Sequence, residues 1–542
     1  MLINSLEFLL FVILVVLIYK VVPKKIKWTV LLVASYVFYF SNSTKLTVFL
    51  MISTLSIYFV ALKMKKIDEN TNKEIFALKE SNQKKDNSKD EKEIKKILKH
   101  KAKLHKKIVL TIGILLNLGI LIFLKYSGFI GEEINSMLKI FHVNANVPIL
   151  NFVLPLGISY YTLQAISYIV DVYRGKIEPD KNLGRVALFL SFFPQIVEGP
   201  IGRYDKLANQ LYEGHEITYK NSCYGMQLML WGFFKKMVIA DRVAMYVNAV
   251  FTDYTKYSGL IIVLAIIGYT LQIYTEFSGG IDIVRGVSEI FGIHLDENFE
   301  RPFFSKSIDE FWRRWNITLG TWLKDYVFYP VSLSKLSMKI TNGTRKIFKQ
   351  SYISKIIPVA VSLLCVWLCN GFWHGSGAKY IVYGLYYYAI MMLGKIFEPL
   401  GKKIIKLLKI NTNAWSYKIW QIIRTCIFVC FGMLIFRADT LNIAKEMFVS
   451  IFKVRNLELI FNGKGFLLGG MTIQDIVVLI IATIILFITS IYREKGKCIR
   501  DDLAKQNLIF RWIVLYGIIF AIIIFGIYGR GYNVQSFIYG QF

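Results

Sequence analysis

Residues 355–377 read Lys355-Ile-Ile-Pro-Val-Ala-Val-Ser-Leu-Leu-Cys-Val-Trp-Leu-Cys-Asn-Gly-Phe-Trp-His-Gly-Ser-Gly377, and a second apolar run follows over 378–395. At about 1.5 Å per residue, each run approaches the roughly 20 residues a helix needs to cross a bilayer. The two read as a helical hairpin whose natural solvent is lipid. Its tip carries His374, with glycines at 371, 375 and 377 leaving room for backbone or a substrate to approach. Further apolar segments lie roughly over 6–22, 28–40, 46–62, 108–124, 150–170, 185–198, 224–240, 258–275, 420–436, 474–491 and 509–528.

Composition agrees. Of the 542 residues, 55% are hydrophobic and 15% aromatic, and the mean hydropathy is +0.46, which excludes disorder and an ordinary soluble enzyme. The expected fold is an all-α polytopic membrane protein with about ten to twelve transmembrane helices. Segments too short to span alone are expected to be re-entrant, interfacial or buried in the bundle. No fixed-period repeat or two-halves symmetry is visible. The chain divides into N-terminal helices over 1–62, a charged insertion over 63–107, a core over 108–440 and C-terminal helices over 441–542.

The formal charge is +29, from 66 Lys and Arg against 37 Asp and Glu. In a soluble protein this would suggest nucleic acid; here it marks cytosolic loops, and no nucleic-acid partner is expected. Lys20, Lys24, Lys25 and Lys27 follow the first span, whereas the turn around Ser41 to Lys45 is nearly uncharged, so the N-terminus is expected outside. The insertion holds 16 Lys against 8 acids, a net of +8, and reads as a cytosolic, partly helical, solvated segment, with contact to anionic lipid as the alternative. The basic stretches 331–356 and 402–409 are also expected in the cytosol. The His374 turn then points outward or stops within the bilayer.

The cysteine pairs Cys365/Cys369 and Cys426/Cys430 fall at i,i+4, but no histidine or carboxylate completes a ligand set, so packing is the reading and no metal is expected. The apolar stretch Leu6–Tyr19 lacks a basic lead and a cleavage site, and reads as a retained first helix.

Four places carry polar chemistry. Five histidines, His100, His105, His142, His215 and His294, sit in the insertion or in polar connections, leaving His374 alone at an apolar tip. Its imidazole can exchange protons without a permanent charge; a neutral histidine bonded to a carbonyl is the plainer account. Over 308–325, Trp312, Trp315, Leu319 and Trp322 recur at near-helical spacing, which predicts one aromatic stripe on an interfacial helix. Arg313 and Arg314 suit phosphate or carboxylate, and Asn316 suits a reacting carbonyl. Glu276 and Asp282 interrupt an apolar segment and need a partner or a wet cavity, with Arg285 available to Asp282 at i,i+3. Gln195 lies in the proline-flanked run Pro194–Arg203, which reads as a re-entrant turn, while Gln164, Ser167 and Asp171 share a helix face expected to point inward.

Taken in order, Phe193-Pro-Gln-Ile-Val-Glu-Gly-Pro-Ile-Gly-Arg203, Glu276-Phe-Ser-Gly, Asn298-Phe through Pro302, Phe311-Trp-Arg-Arg-Trp315, Trp322-Leu-Lys-Asp-Tyr326 and Gly371-Phe-Trp-His-Gly375 resemble the membrane-bound O-acyltransferase family. Further matches at Gln164–Arg174, Gly232–Asp241 and Phe431–Asp439 extend the likeness over most of 150–440. It is most similar to the bacterial branch that holds the alginate O-acetyltransferase membrane subunit, the peptidoglycan and wall-polysaccharide O-acetyltransferases and the teichoic-acid D-alanyl transferase. The resemblance implies a multi-helix shell around a thinned centre, with a tunnel joining a cytosolic acyl donor to an extracytoplasmic acceptor. It implies no bound cofactor, acetyl-CoA or another acyl-CoA or an acyl carrier protein as donor, a surface polysaccharide as acceptor, and an extracytoplasmic or membrane-anchored esterase-like transferase as partner, all at the bacterial cytoplasmic membrane.

His374 matches the family's catalytic histidine, as general base or carrier of a transient acyl group. Asn316 stands where alginate-type members usually place histidine; asparagine cannot take up or release a proton, so a hydrogen-bonding role remains. Tyr387 stands about where bacterial relatives often have a further histidine. Channel candidates are Trp312, Arg313, Arg314, Trp315, Trp373, Gln195, Glu276, Asp282 and Tyr387. D-alanyl transfer, a secondary transporter coupled through Glu276 and Asp282, and a catalytically silent scaffold are the other readings.

Overall fold

The structure, a computed structural model, describes residues 1–528 apart from 83–87, 144, 151, 350, 454–457, 459–461, 463 and 468. Part of the charged insertion and residues 529–542 of the expected C-terminal segment therefore lie outside the described residues. Among the described residues 79% are helical and none forms a strand. The chain forms two units, one of Met1–Thr218 with Phe291–Leu295, the other of Tyr219–Ile290 with Asp296–Phe542.

The first unit holds α1 (Leu6–Val21), α2 (Lys27–Asn42), α3 (Thr47–Asn82), α4 (Ser88–Ile140), α5 (Ile158–Tyr173), α6 (Leu183–Ser191) and α7 (Tyr204–Tyr212). Phe8 of α1 and Phe38 of α2 meet edge to face at 5.7 Å, and both pack on Phe193, in the chain that follows α6. The 36 residues of α3 and 53 of α4 make helices of about 54 and 80 Å, far longer than a bilayer is thick. They carry the flanks of the insertion outward as a helical pair, tied by Lys106 to Asp68 at 2.7 Å. Between α6 and α7 the run Pro194–Arg203 is non-helical and buried, and Gln195 Nε2 closes it by donating to the Pro200 carbonyl at 2.6 Å. Gln164, Ser167 and Asp171 are buried on α5.

The second unit opens with α8 (Tyr219–Phe233), a π-helical turn over Phe234–Ala240, α9 (Asp241–Thr252) and α10 (Leu260–Ile290). Helices α8 and α10 run antiparallel along a glycine seam: a Cβ at Gly232 would lie 2.5 Å from the Gly279 carbonyl, and one at Gly225 2.5 Å from the Gly286 carbonyl. Such close approach is how helices associate where lipid supplies no hydrophobic drive. There follow α11 (Ile308–Arg314), α12 (Ile317–Leu323), a second π turn over Lys324–Phe328, α13 (Tyr329–Ser332) and α14 (Lys335–Phe348). The hairpin comes next, as α15 (Tyr352–His374) and α16 (Ala378–Ile396), then α17 (Glu398–Leu407), α18 (Trp415–Arg437), α19 (Leu441–Lys453), α20 (Lys464–Leu467), α21 (Ile473–Glu494), α22 (Ile499–Ala504) and α23 (Leu508–Phe525).

Among the described residues seven helices are long and apolar enough to cross a membrane, or eight if the pair α16–α17, bent by 50°, counts as one span. The chain is a multi-pass membrane protein, yet ten to twelve crossings are not reached by helix length and composition. Helices α1, α2 and α5 have 16 residues each, about 24 Å, short of the about 30 Å hydrocarbon core.

Candidate functional site

Helix α15 starts at the N-cap Ser351, whose hydroxyl accepts from Ser354 N at 3.4 Å, and stops at Gly375, so His374 is its last residue, at the tip of the hairpin. Two of the three glycines serve close packing against α16, and Gly377 has only ordinary contacts. A Cβ at Gly371 would lie 2.5 Å from the Tyr380 carbonyl on α16, and a Cβ at Gly375 would strike the Tyr380 ring. Of the two uses expected for that room, backbone or a substrate, the approach of the α16 backbone takes it at Gly371. His374 is only 4% exposed, with its ring 4.9 Å from Trp373, 5.7 Å from Tyr383 and 5.1 Å from Phe436.

The aromatic stripe over 308–325 is not one helix, which corrects the sequence reading. After α11, capped by Ser307 accepting from Glu310 N at 3.1 Å, Trp315 is extended and Asn316 adopts the left-handed conformation, φ 45° and ψ 54°. An extended strip at Asn298–Glu300 holds the break: Glu300 N donates to Arg314 O at 2.9 Å, Ile317 N to Asn298 O at 3.1 Å, and Asn298 Oδ1 accepts from Thr318 N at 2.9 Å. Backbone pairing and a cap there replace one turn of helix. The break turns Asn316 inward.

His374 and Asn316 line one cavity of about 630 Å³, together with Trp312, Arg313 and Trp315 among the expected residues. Asn316, also 4% exposed, leaves its Oδ1 buried with no hydrogen-bond partner. So does Asn370, one turn before His374 on α15 and on the same cavity, and Trp312 Nε1 is likewise buried and unpaired. Buried polar atoms are nearly always paired, with protein or with water, so two acceptors and a donor left open on one lining make this cavity the candidate site. Asn370 was passed over in the sequence; its signal was an amide at i−4 from His374 in an apolar span. Arg313 and Lys324, both exposed, bring two cations to the cavity lining, beside Asp309, which pairs with Lys395 at 3.6 Å.

Other expected residues stand elsewhere. Tyr387 is buried behind the cavity wall, its ring 4.8 Å from Trp312 and stacked at 5.3 Å on Trp367. Arg314 faces away, pairing with Glu310 at 2.8 Å and Glu494 at 3.0 Å. Glu276 accepts from Lys236 at 2.8 Å, a lysine shared with Asp241, while Asp282 meets Lys235 at 2.8 Å. Arg285, the neighbour expected for Asp282, is at 3.8 Å. The π turn sends two consecutive lysines to separate carboxylates, which meets the demand for partners at this depth. Gln195 belongs to the first unit. No group of three metal-ligating side chains occurs among the described residues.

Membrane-crossing helices, with a buried histidine and two buried asparagines on one cavity lining, define the chain as a polytopic membrane protein with a candidate polar site. Residues 180–342 match the profile of MBOAT, the membrane-bound O-acyltransferase family. The chain is 31% identical over 350 residues to a probable alginate O-acetylase AlgI of Pseudomonas syringae pv. tomato, covering 65% of this chain and 61% of that protein. It is 31% identical to a peptidoglycan O-acetyltransferase of Helicobacter pylori, over 52% of this chain and 54% of the relative. A teichoic acid D-alanyltransferase of Bacillus subtilis is 32% identical, over 57% of this chain and 78% of the relative. The chain belongs to the membrane-bound O-acyltransferase family. It spans less than two thirds of the alginate O-acetylase it matches.

Proposed function

We propose that the protein is an O-acyltransferase that moves an acetyl or other small acyl group from a cytosolic thioester across the bacterial cytoplasmic membrane, toward hydroxyls of an extracytoplasmic polysaccharide. The observation that carries the reading is that His374 and Asn316, from different elements, share one cavity with open polar atoms and two cations. His374 takes the proton of the acceptor hydroxyl as its oxygen bonds to the thioester carbonyl carbon. The carbon–sulfur bond then breaks and the proton passes from the imidazole to the departing thiolate. The Asn316 amide donates to the carbonyl oxygen as it gains charge, a role that needs no titratable group. Arg313 and Lys324 attract the phosphates of acyl-CoA or the acidic face of a carrier protein. The basic loops lie in the cytosol and the N-terminus outside. The acceptor step runs through an esterase-like partner, membrane-anchored or extracytoplasmic.

The test is His374→Ala in native membranes. The variant is expected at wild-type level, with transfer of labelled acetyl reduced by at least about 10²-fold; undiminished transfer sinks the assignment. D-alanyl transfer is the second reading, because the Bacillus subtilis relative of that name is covered over 78% of its length. Parallel incubation with labelled acetyl-CoA and with a labelled D-alanyl carrier separates them: label from acetyl-CoA alone supports O-acetylation.

A further inference from the structure

A second cavity, of about 480 Å³, lies in the same unit as His374 and shares no lining residue with the first. Its two halves differ in chemistry. One is cationic, with Lys235, Arg285, Arg301, Arg493 and Arg500 against two carboxylates, Asp282 and Glu297. Acids hold most of these side chains in place: Arg500 meets Glu289 at 2.6 Å, Arg301 meets Glu494 at 2.6 Å, and Arg285 meets Glu297 at 3.1 Å. Arg493 is the most loosely held, 3.3 Å from Glu297 with its side chain 38% exposed.

The other half is hydrocarbon, walled by Leu486 of α21 and by Ile513, Leu515 and Ile518 of α23. Both helices face lipid: none of the α23 span and only 17% of the α21 span is buried. The cationic end lies where the basic connection between them begins, with Arg493, Lys495, Lys497 and Arg500. A pocket apolar along two lipid-facing spans and basic at their loop end matches a phosphate ester on a hydrocarbon tail. Gln227 adds an independent demand, since its Oε1 is buried on this cavity with no hydrogen-bond partner and awaits a donor.

We propose that this cavity binds an anionic glycerophospholipid, with its phosphate among the arginines, a headgroup hydroxyl donating to Gln227 and an acyl chain along α21 and α23. Guanidinium has donors to spare: each arginine can keep its carboxylate and still bond a phosphate oxygen. A zwitterionic lipid has the same phosphate but brings a further cation to a lining that already holds five. The phosphates of a soluble thioester donor share the headgroup chemistry and lack the chain, which the apolar half distinguishes.

The experiment uses the full chain in nanodiscs of phosphatidylcholine containing a minor fraction of phosphatidylglycerol, with retained lipid counted by native mass spectrometry. The protein is expected to keep phosphatidylglycerol and not phosphatidylcholine. Arg493→Gln is expected to lower retention about tenfold, the value of one charge-assisted bond, while Arg493→Lys keeps most of it. Gly517→Trp tests the apolar half without altering charge, because a Cβ there meets nothing within 4 Å, and it is expected to expel the lipid. Excess coenzyme A should leave the lipid in place. Retention unchanged in both Arg493→Gln and Gly517→Trp, equal retention of phosphatidylcholine, or displacement by coenzyme A overturns the proposal. None of these outcomes depends on acyl transfer, so the two readings fail separately.

Discussion

Asn316 holds a left-handed backbone that costs most side chains roughly 1–2 kcal/mol and that asparagine and glycine tolerate. This separates its backbone role from its side chain's. Asn316→Gly is expected to fold normally and to lower kcat by about 10²–10³-fold, the usual effect of losing one oxyanion donor. Asn316→Ala should show the same loss together with reduced thermal stability; turnover near wild type in the glycine variant removes the side chain from the mechanism. His374 stood out in the sequence as an imidazole between glycines at the tip of an apolar hairpin, although a neutral histidine bonded to a carbonyl was its plainer account. Asn370 did not, because its open acceptor shows only when the opposite wall of the cavity is in place. The carboxylates of Glu276 and Asp282 were visible as unusual, but their lysines lie some forty residues earlier, and only the fold brings them together.

Whole elements were read with uneven success, for a reason of period. The hairpin α15–α16 follows from continuous apolar runs, whereas α3 and α4 run unbroken through the expected boundaries at 62 and 107 and join each apolar span to a flank of the charged insertion. The break between α11 and α12 does not follow from the residue pattern, since residues 308–325 keep helical spacing and the interruption comes from pairing with Asn298–Glu300. The α8–α10 seam was equally silent: Gly232 and Gly279 were noted only within separate motifs, and with Gly225 and Gly286 they become a contact surface only when the two helices run antiparallel. Gly232→Leu is expected to destabilise the protein by about 1–3 kcal/mol, the usual cost of overpacking, because Gly279 and Ile283 leave no space for a side chain. Thermal unfolding followed by fluorescence-detected gel filtration measures it. A melting temperature equal to wild type would show that the helices can part there at no cost. The Gly517→Trp variant on α23, which faces an open space, serves as the contrasting large substitution.

At the scale of the whole molecule the +29 charge is a field. If the donor is a polyanion approaching a basic face, raising salt from about 0.1 M to 1 M shortens the screening length from about 10 to 3 Å, so its apparent KM should rise several-fold while kcat changes little. A salt effect confined to kcat contradicts electrostatic capture. The sequence by itself determined the solvent of this protein, its all-helical class and its family, because apolar runs and short motifs are local properties that survive without a fold. It also singled out His374. Only the tertiary structure decided which polar residues share a cavity and which are spent on ion pairs. Arg314 turned to Glu310 and Glu494, Glu276 to Lys236 and Asp282 to Lys235, whereas Asn316 and Asn370 were left with open acceptors beside His374. A buried polar group takes whichever partner the packing brings within about 3 Å, and that choice is made between segments far apart in the chain.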